Sequence, residues 1–116
     1  QRQRAKLPRA TLSAKQIDAR FATWLAVALV RTGRADEARE QIGPALRWMR
    51  EEERRNVDAQ TLRLDLAQAL YAAALIDPPQ AKPLLAEARA ITKGLSPDLH
   101  AARSSRWWIE RIAEGR

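Results

Sequence analysis

Cysteine is absent from the 116-residue chain, so no disulfide framework, thiolate nucleophile or thiolate metal site is available to it. Histidine occurs once, as His100, which rules out a multi-histidine metal cluster. Uninterrupted apolar runs such as residues 24–30 fall far short of the roughly 20 residues that a bilayer-spanning helix needs. Strand-forming residues are scarce, with 3 Val and 6 Ile against 23 Ala and 14 Leu, a balance that favours helix and leaves little from which to build a sheet. What remains is ordinary for a folded domain: 46% hydrophobic and 30% charged residues are too apolar a mixture for disorder.

Charge is unevenly placed. The net charge is +7, but the first 20 residues hold Arg2, Arg4, Lys6, Arg9, Lys15 and Arg20 against Asp18 alone, while the other 96 residues carry 15 basic and 13 acidic groups. The expected division is a basic linker or arm at 1–11 and a helical domain at 12–116. A cationic stub without an initiating Met, interrupted by Pro8, reads as the end of a linker in a longer polypeptide. The opening residues lack the apolar core of a secretory signal. The absence of cysteine fits cytoplasm and periplasm equally, with the cytoplasm as the expected compartment and the periplasm as the alternative. The excess of Arg over Lys points to a GC-rich bacterial source.

Five helices are predicted. The first begins near Leu12 and Ser13, with Ser13 as cap, and buries Ile17, Phe21, Leu25, Ala28 and Leu29 before Gly33 stops it. The second opens with Asp36 and Glu37, where carboxylates meet free amide groups, and carries Ala38, Ile42, Ala45, Leu46 and Met49, with a kink or restart expected at Pro44. The third starts at a capping Asp58 and carries Leu62, Leu66, Ala69, Leu70, Ala73 and Ala74. Asp77 is expected to cap the fourth, which buries Ala81, Leu84, Leu85, Ala88 and Ile91 and ends at Gly94. Ser96, Pro97 and Asp98 start a fifth that carries Leu99, Ala102, Ile109, Ile112 and Ala113 on one stripe to Gly115. Short links then force neighbouring helices to run antiparallel.

One unit is used twice. Leu25, Ala26, Leu29, Gly33, Ala38, Ile42 and Ala45 in helices 1 and 2 match Leu66, Ala67, Leu70, Ala74, Ala81, Leu85 and Ala88 in helices 3 and 4, 41 residues apart at Leu25 and Leu66 and 43 at Ala38 and Ala81. Small residues sit where paired helices touch, and large ones fill the space between pairs. This pattern resembles the tetratricopeptide repeat, in a long form like that of kinesin-light-chain-type repeats. It departs from the family in Ala22 where tryptophan is common, in Arg50 near the usual closing proline, and in Ala74 replacing the turn glycine. The alanine- and arginine-rich style, with Pro83-Leu84-Leu85-Ala86-Glu87-Ala88-Arg89-Ala90 and Arg106-Trp107-Trp108-Ile109-Glu110-Arg111-Ile112, is also similar to C-terminal repeat segments of bacterial multidomain proteins, eukaryotic-like serine/threonine kinases among them.

The resemblance implies an all-α antiparallel solenoid of two helix pairs and a C-terminal capping helix. It further implies a non-enzymatic module, without cofactor, that holds a peptide or partner helix in the groove of helices 1 and 3, or meets another domain or a second copy. The family's groove positions fall at Arg20, Thr23, Val27 and Arg31 on helix 1 and at Thr61, Leu64, Gln68 and Tyr71 on helix 3, a mixture suited to a carboxylate-bearing peptide. The competing reading is that two units make too shallow a groove and these residues face solvent or further repeats.

Other chemistry is thin. Asp58, Asp65 and Asp77 read as caps or solvated side chains, and His100 stands alone. Glu51, Glu52 and Glu53 point about 100° apart on a helix and cannot converge on one cation, so pairing with Arg47, Arg50, Arg54 and Arg55 is expected instead. Trp107 and Trp108 diverge by the same angle, and Trp107, farther from the apolar stripe, is the candidate contact residue. The alternative function is a nucleic-acid-associated or regulatory domain using the basic arm, with an anionic membrane surface as a lesser variant; the near-neutral body and the lack of an aromatic residue before Phe21 weigh against both.

Overall fold

The computed structural model describes residues 14–55 and 60–115, and the basic arm and the expected caps Ser13 and Asp58 lie outside them. Six α-helices follow one another with no strand among the described residues: α1 (Ala14–Arg31), α2 (Ala35–Arg55), α3 (Gln60–Ile76), α4 (Ala81–Lys93), α5 (Pro97–Ala101) and α6 (Arg103–Glu114). A single 3-10 turn, Pro78–Gln80, joins α3 to α4. No described helix is long and apolar enough to cross a membrane.

The chain reverses after α1 at Gly33, whose φ of 81° lies in the left-handed region, and Arg34 N closes the turn on Leu29 O at 2.8 Å. That reversal lays α2 along α1, with Ala26 and Ala38 both fully buried where small side chains let the two backbones approach. α3 and α4 also pack together, Ala67 and Ala88 both being fully buried, and α2 and α1 both lie against α3. α3 is therefore the central element, buried nearly all round from Leu62 to Ile76. Met49, Leu70, Tyr71 and Ile112 are the largest apolar side chains completely withdrawn from solvent.

Several local expectations are corrected. The stripe assigned to helix 1 is not its buried face, because Ile17, Phe21 and Ala28 are exposed and the core is met by Ala19, Thr23, Ala26 and Val27. α1 is apolar on two sides, and the side of small residues permits the closer approach. α2 passes through Pro44 without a break. Pro44 and Glu40 are both exposed, so the carbonyl that loses its donor can be hydrated. Asp77 precedes the 3-10 turn without a side-chain capping bond, and α4 begins after Gln80. Ser96 does cap its helix, accepting from Leu99 N at 3.4 Å.

The predicted fifth helix is two. Ala102 adopts extended backbone (φ −64°, ψ 132°), ending α5 and opening α6, and it accepts from Arg106 N at 2.8 Å. An unbroken helix would set Leu99 and Trp108, nine residues apart, on opposite sides. The break turns both toward α3. α5 is tied down by Gln60 Oε1, which accepts from Ser96 N at 2.8 Å, and by His100, whose Nε2 lies 2.8 Å from Thr92 O.

Candidate functional site

α1, α3, α5 and α6 enclose a cavity of about 140 Å³. Its walls are Trp24, Leu64, Leu99 and Trp108, and its polar groups are Arg20, Thr61, Asp65, Gln68 and Ser105. The aromatic wall is held by packing: Trp108 meets Tyr71 edge-to-face at 5.9 Å between ring centroids, and Trp107 meets Trp108 edge-to-face at 5.1 Å. A larger depression of about 410 Å³ between α1 and α2, near Lys15, Glu40, Pro44 and Trp48, is open and shallow and lacks a convergent set of buried polar groups.

Asp65 organises the polar side. It is 2% exposed and accepts from Gln16 Nε2 on one oxygen and from Arg20 Nε on the other, both at 2.8 Å. Burial pushes its carboxyl above the ordinary aspartate range, although the Gln16 hydrogen bond and the Arg20 charge pull the other way. Only Nε of Arg20 is engaged, so both of its Nη groups lack a protein acceptor among the described residues. Gln68 and Ser105 are each 6% exposed and form no side-chain hydrogen bond there either. A guanidinium, an amide and a hydroxyl thus face one small space with donors unspent. These polar atoms remain open to solvent, since Arg63 Nε is the buried side-chain nitrogen or oxygen left without a partner among the described residues, so the arrangement suits water or a ligand that accepts hydrogen bonds.

Of the groove residues proposed from the sequence, the structure brings Arg20, Thr61, Leu64 and Gln68 to this cavity. Thr23 is buried, its hydroxyl donating to Ala19 O at 3.0 Å, and Val27 and Tyr71 belong to the core. Arg31 is exposed at the end of α1. Trp107 is 40% exposed, with the Arg111 guanidinium carbon 5.1 Å from its ring centroid, whereas Trp108 packs inward.

Asp65 is a correction: the sequence reading made it a cap or solvated group, and it is the buried partner of α1. Its place among Leu62, Leu64, Leu66 and Leu70 was the available signal, since a lone carboxylate in an apolar helix needs a cation from another element. Ser105, Leu99, Trp24 and Trp108 were not singled out as cavity residues, because the break at Ala102 decides where the last two helices point. Glu51 and Glu52 are paired on their own helix with Arg54 and Arg55, Glu53 forms no ion pair among the described residues, and Arg50 reaches α4 and binds Glu87 through two bonds of 2.8 and 3.1 Å. No group of three or more His, Asp or Glu suited to a metal ion occurs among the described residues.

Compared with known proteins, the chain matches no family model, no curated protein and no solved structure.

Proposed function

We propose that the chain is a non-enzymatic protein-interaction module, built as two tetratricopeptide-like helix pairs in a short solenoid. It takes a carboxylate-bearing segment of its partner into the cavity beside α1 and α3. The observation that carries this reading is the trio of Arg20, Gln68 and Ser105, which line one cavity and have side-chain donors without protein acceptors among the described residues. A carboxylate accepts up to four hydrogen bonds and pairs well with a guanidinium, so it fits this donor-rich set better than a neutral or cationic group does. The volume admits a single acidic side chain or chain terminus between the tryptophan walls, which is the scale on which extended peptides are read. The repeat-equivalent residues Ala26 and Ala67, and likewise Ala45 and Ala88, are all buried, which supports the paired-helix description.

The test uses an acetylated, amidated alanine-rich nonapeptide with one central Glu, and its Gln counterpart, titrated by calorimetry. The Glu peptide should bind at least tenfold more tightly, and Gln68→Leu with Ser105→Ala should weaken its binding at least tenfold. Equal binding of the two peptides, or Glu-peptide binding undiminished in the double variant, would refute the reading.

A further inference from the structure

Outside the cavity, the largest unexplained feature is the outer side of α1. Ile17, Phe21 and Trp24 are 52%, 63% and 54% exposed, and Ala28 continues their line. Spacings of four, three and four residues place all four side chains on one stripe, directed away from the face that α1 buries. The stripe presents on the order of 400 Å² of apolar surface, comparable to the largest patch of a typical monomer, and patches of that size are often functional.

Charge decides what fits it. Helical spacing puts Arg20 and exposed Arg31 along the edge facing α3, with Lys15 and Asp18 on the other side. Arg20 is partly committed to Asp65, and Arg31 forms no ion pair among the described residues. α1 also continues from the most basic stretch of the sequence, six basic groups against one acidic in residues 1–20. A second copy would bring this positive charge against itself. It would also bury about half of the roughly 800 Å² per partner that a stable dimer commonly uses.

We propose that the outer face of α1 docks an amphipathic helix of acidic character. Its apolar residues, at i, i+4, i+7 and i+11, lie on Ile17, Phe21, Trp24 and Ala28, and its carboxylates lie along the Arg20 and Arg31 edge. This surface adjoins the cavity, sharing Arg20 and Trp24 with its lining, but extends beyond it through Ile17, Phe21 and Ala28, which do not line it.

The probe is an 18-residue acetylated, amidated peptide with Leu at those four positions and Glu and Ala elsewhere, beside a twin with Lys replacing Glu. Binding to the full chain is read by fluorescence anisotropy. The Glu peptide should bind at least tenfold more tightly than the Lys twin. Ile17→Ser with Phe21→Ser should weaken it at least tenfold at unchanged circular dichroism, because both side chains are exposed, while Gln68→Leu should leave it unaltered. Equal binding of the twins would overturn the proposal, as would retention in the double variant or loss on Gln68→Leu alone. Self-association seen by ultracentrifugation and abolished by the double variant would also overturn it, assigning the face to a second copy.

Discussion

Removing either member of the Arg20–Asp65 pair should have unequal consequences, because the two ends are buried to different extents. The Arg20 side chain is 30% exposed and that of Asp65 is 2% exposed. Arg20→Met keeps the stem that packs on α3 but strands a buried carboxylate, with Gln16 as its remaining side-chain donor described here. Stranding a buried charge costs about 3–5 kcal/mol, and partial access to water through the cavity reduces this to about 2–3 kcal/mol. Asp65→Asn removes the buried charge and leaves a guanidinium that water can reach, costing about 1 kcal/mol. The pH response has a definite sign. The Asp65 carboxyl titrates above its ordinary value of 3.8 in the folded protein, so its contribution is most favourable below that value and is lost as pH rises through the folded pKa. Arg20→Met raises the folded pKa further, so its penalty should be larger at pH 7 than in acid, where protonation of Asp65 relieves the stranded charge. Urea unfolding followed by circular dichroism, at pH 7 and near pH 4, measures both effects. The reasoning fails if Asp65→Asn costs as much as Arg20→Met at pH 7, or if the gap between them does not narrow in acid.

Other expectations follow from burial and backbone geometry. Leu70→Ala empties part of the central core and should cost about 3 kcal/mol, lowering the thermal midpoint by about 12–24 °C for a domain of this size. Trp108→Ala should cost about 3 kcal/mol, since it removes the wall packed on Tyr71, whereas Trp107→Ala, at a 40% exposed position, should cost less than about 1.5 kcal/mol; chemical denaturation compares them. Gly33→Ala should destabilise by about 1 kcal/mol through its left-handed φ, although a Cβ there would meet nothing within 4 Å, and thermal melting detects this.

How much of this was legible in the sequence depended on which interaction decided each feature. Local chemistry read well: Gly33, Ser96 and Gly115 end or begin helices as expected, and the stripe Ala38, Ile42, Ala45 and Met49 is the buried face of α2. α1 did not, because its two apolar sides satisfy the same 3.6-residue period, and the choice between Phe21 and Ala26 rests on how closely α2 and α3 approach. The break at Ala102 carries no proline or glycine. It follows from the need to turn Leu99 and Trp108 toward one place, a tertiary demand that no local pattern records. The candidate site was half legible: Arg20, Thr61, Leu64 and Gln68 came from repeat spacing, whereas Ser105 and Trp108 depended on where α6 returns.

The unspent donors of the cavity are most directly observed by nitrogen-15 NMR of the Gln68 side-chain amide and the Arg20 Nε during titration with the central-Glu nonapeptide. Saturable shifts of both signals with one affinity, and loss of the Arg20 shift in Gln68→Leu with Ser105→Ala, are the result this account predicts. Signals that stay fixed while the peptide binds, or a Gln counterpart that shifts them equally, would contradict it.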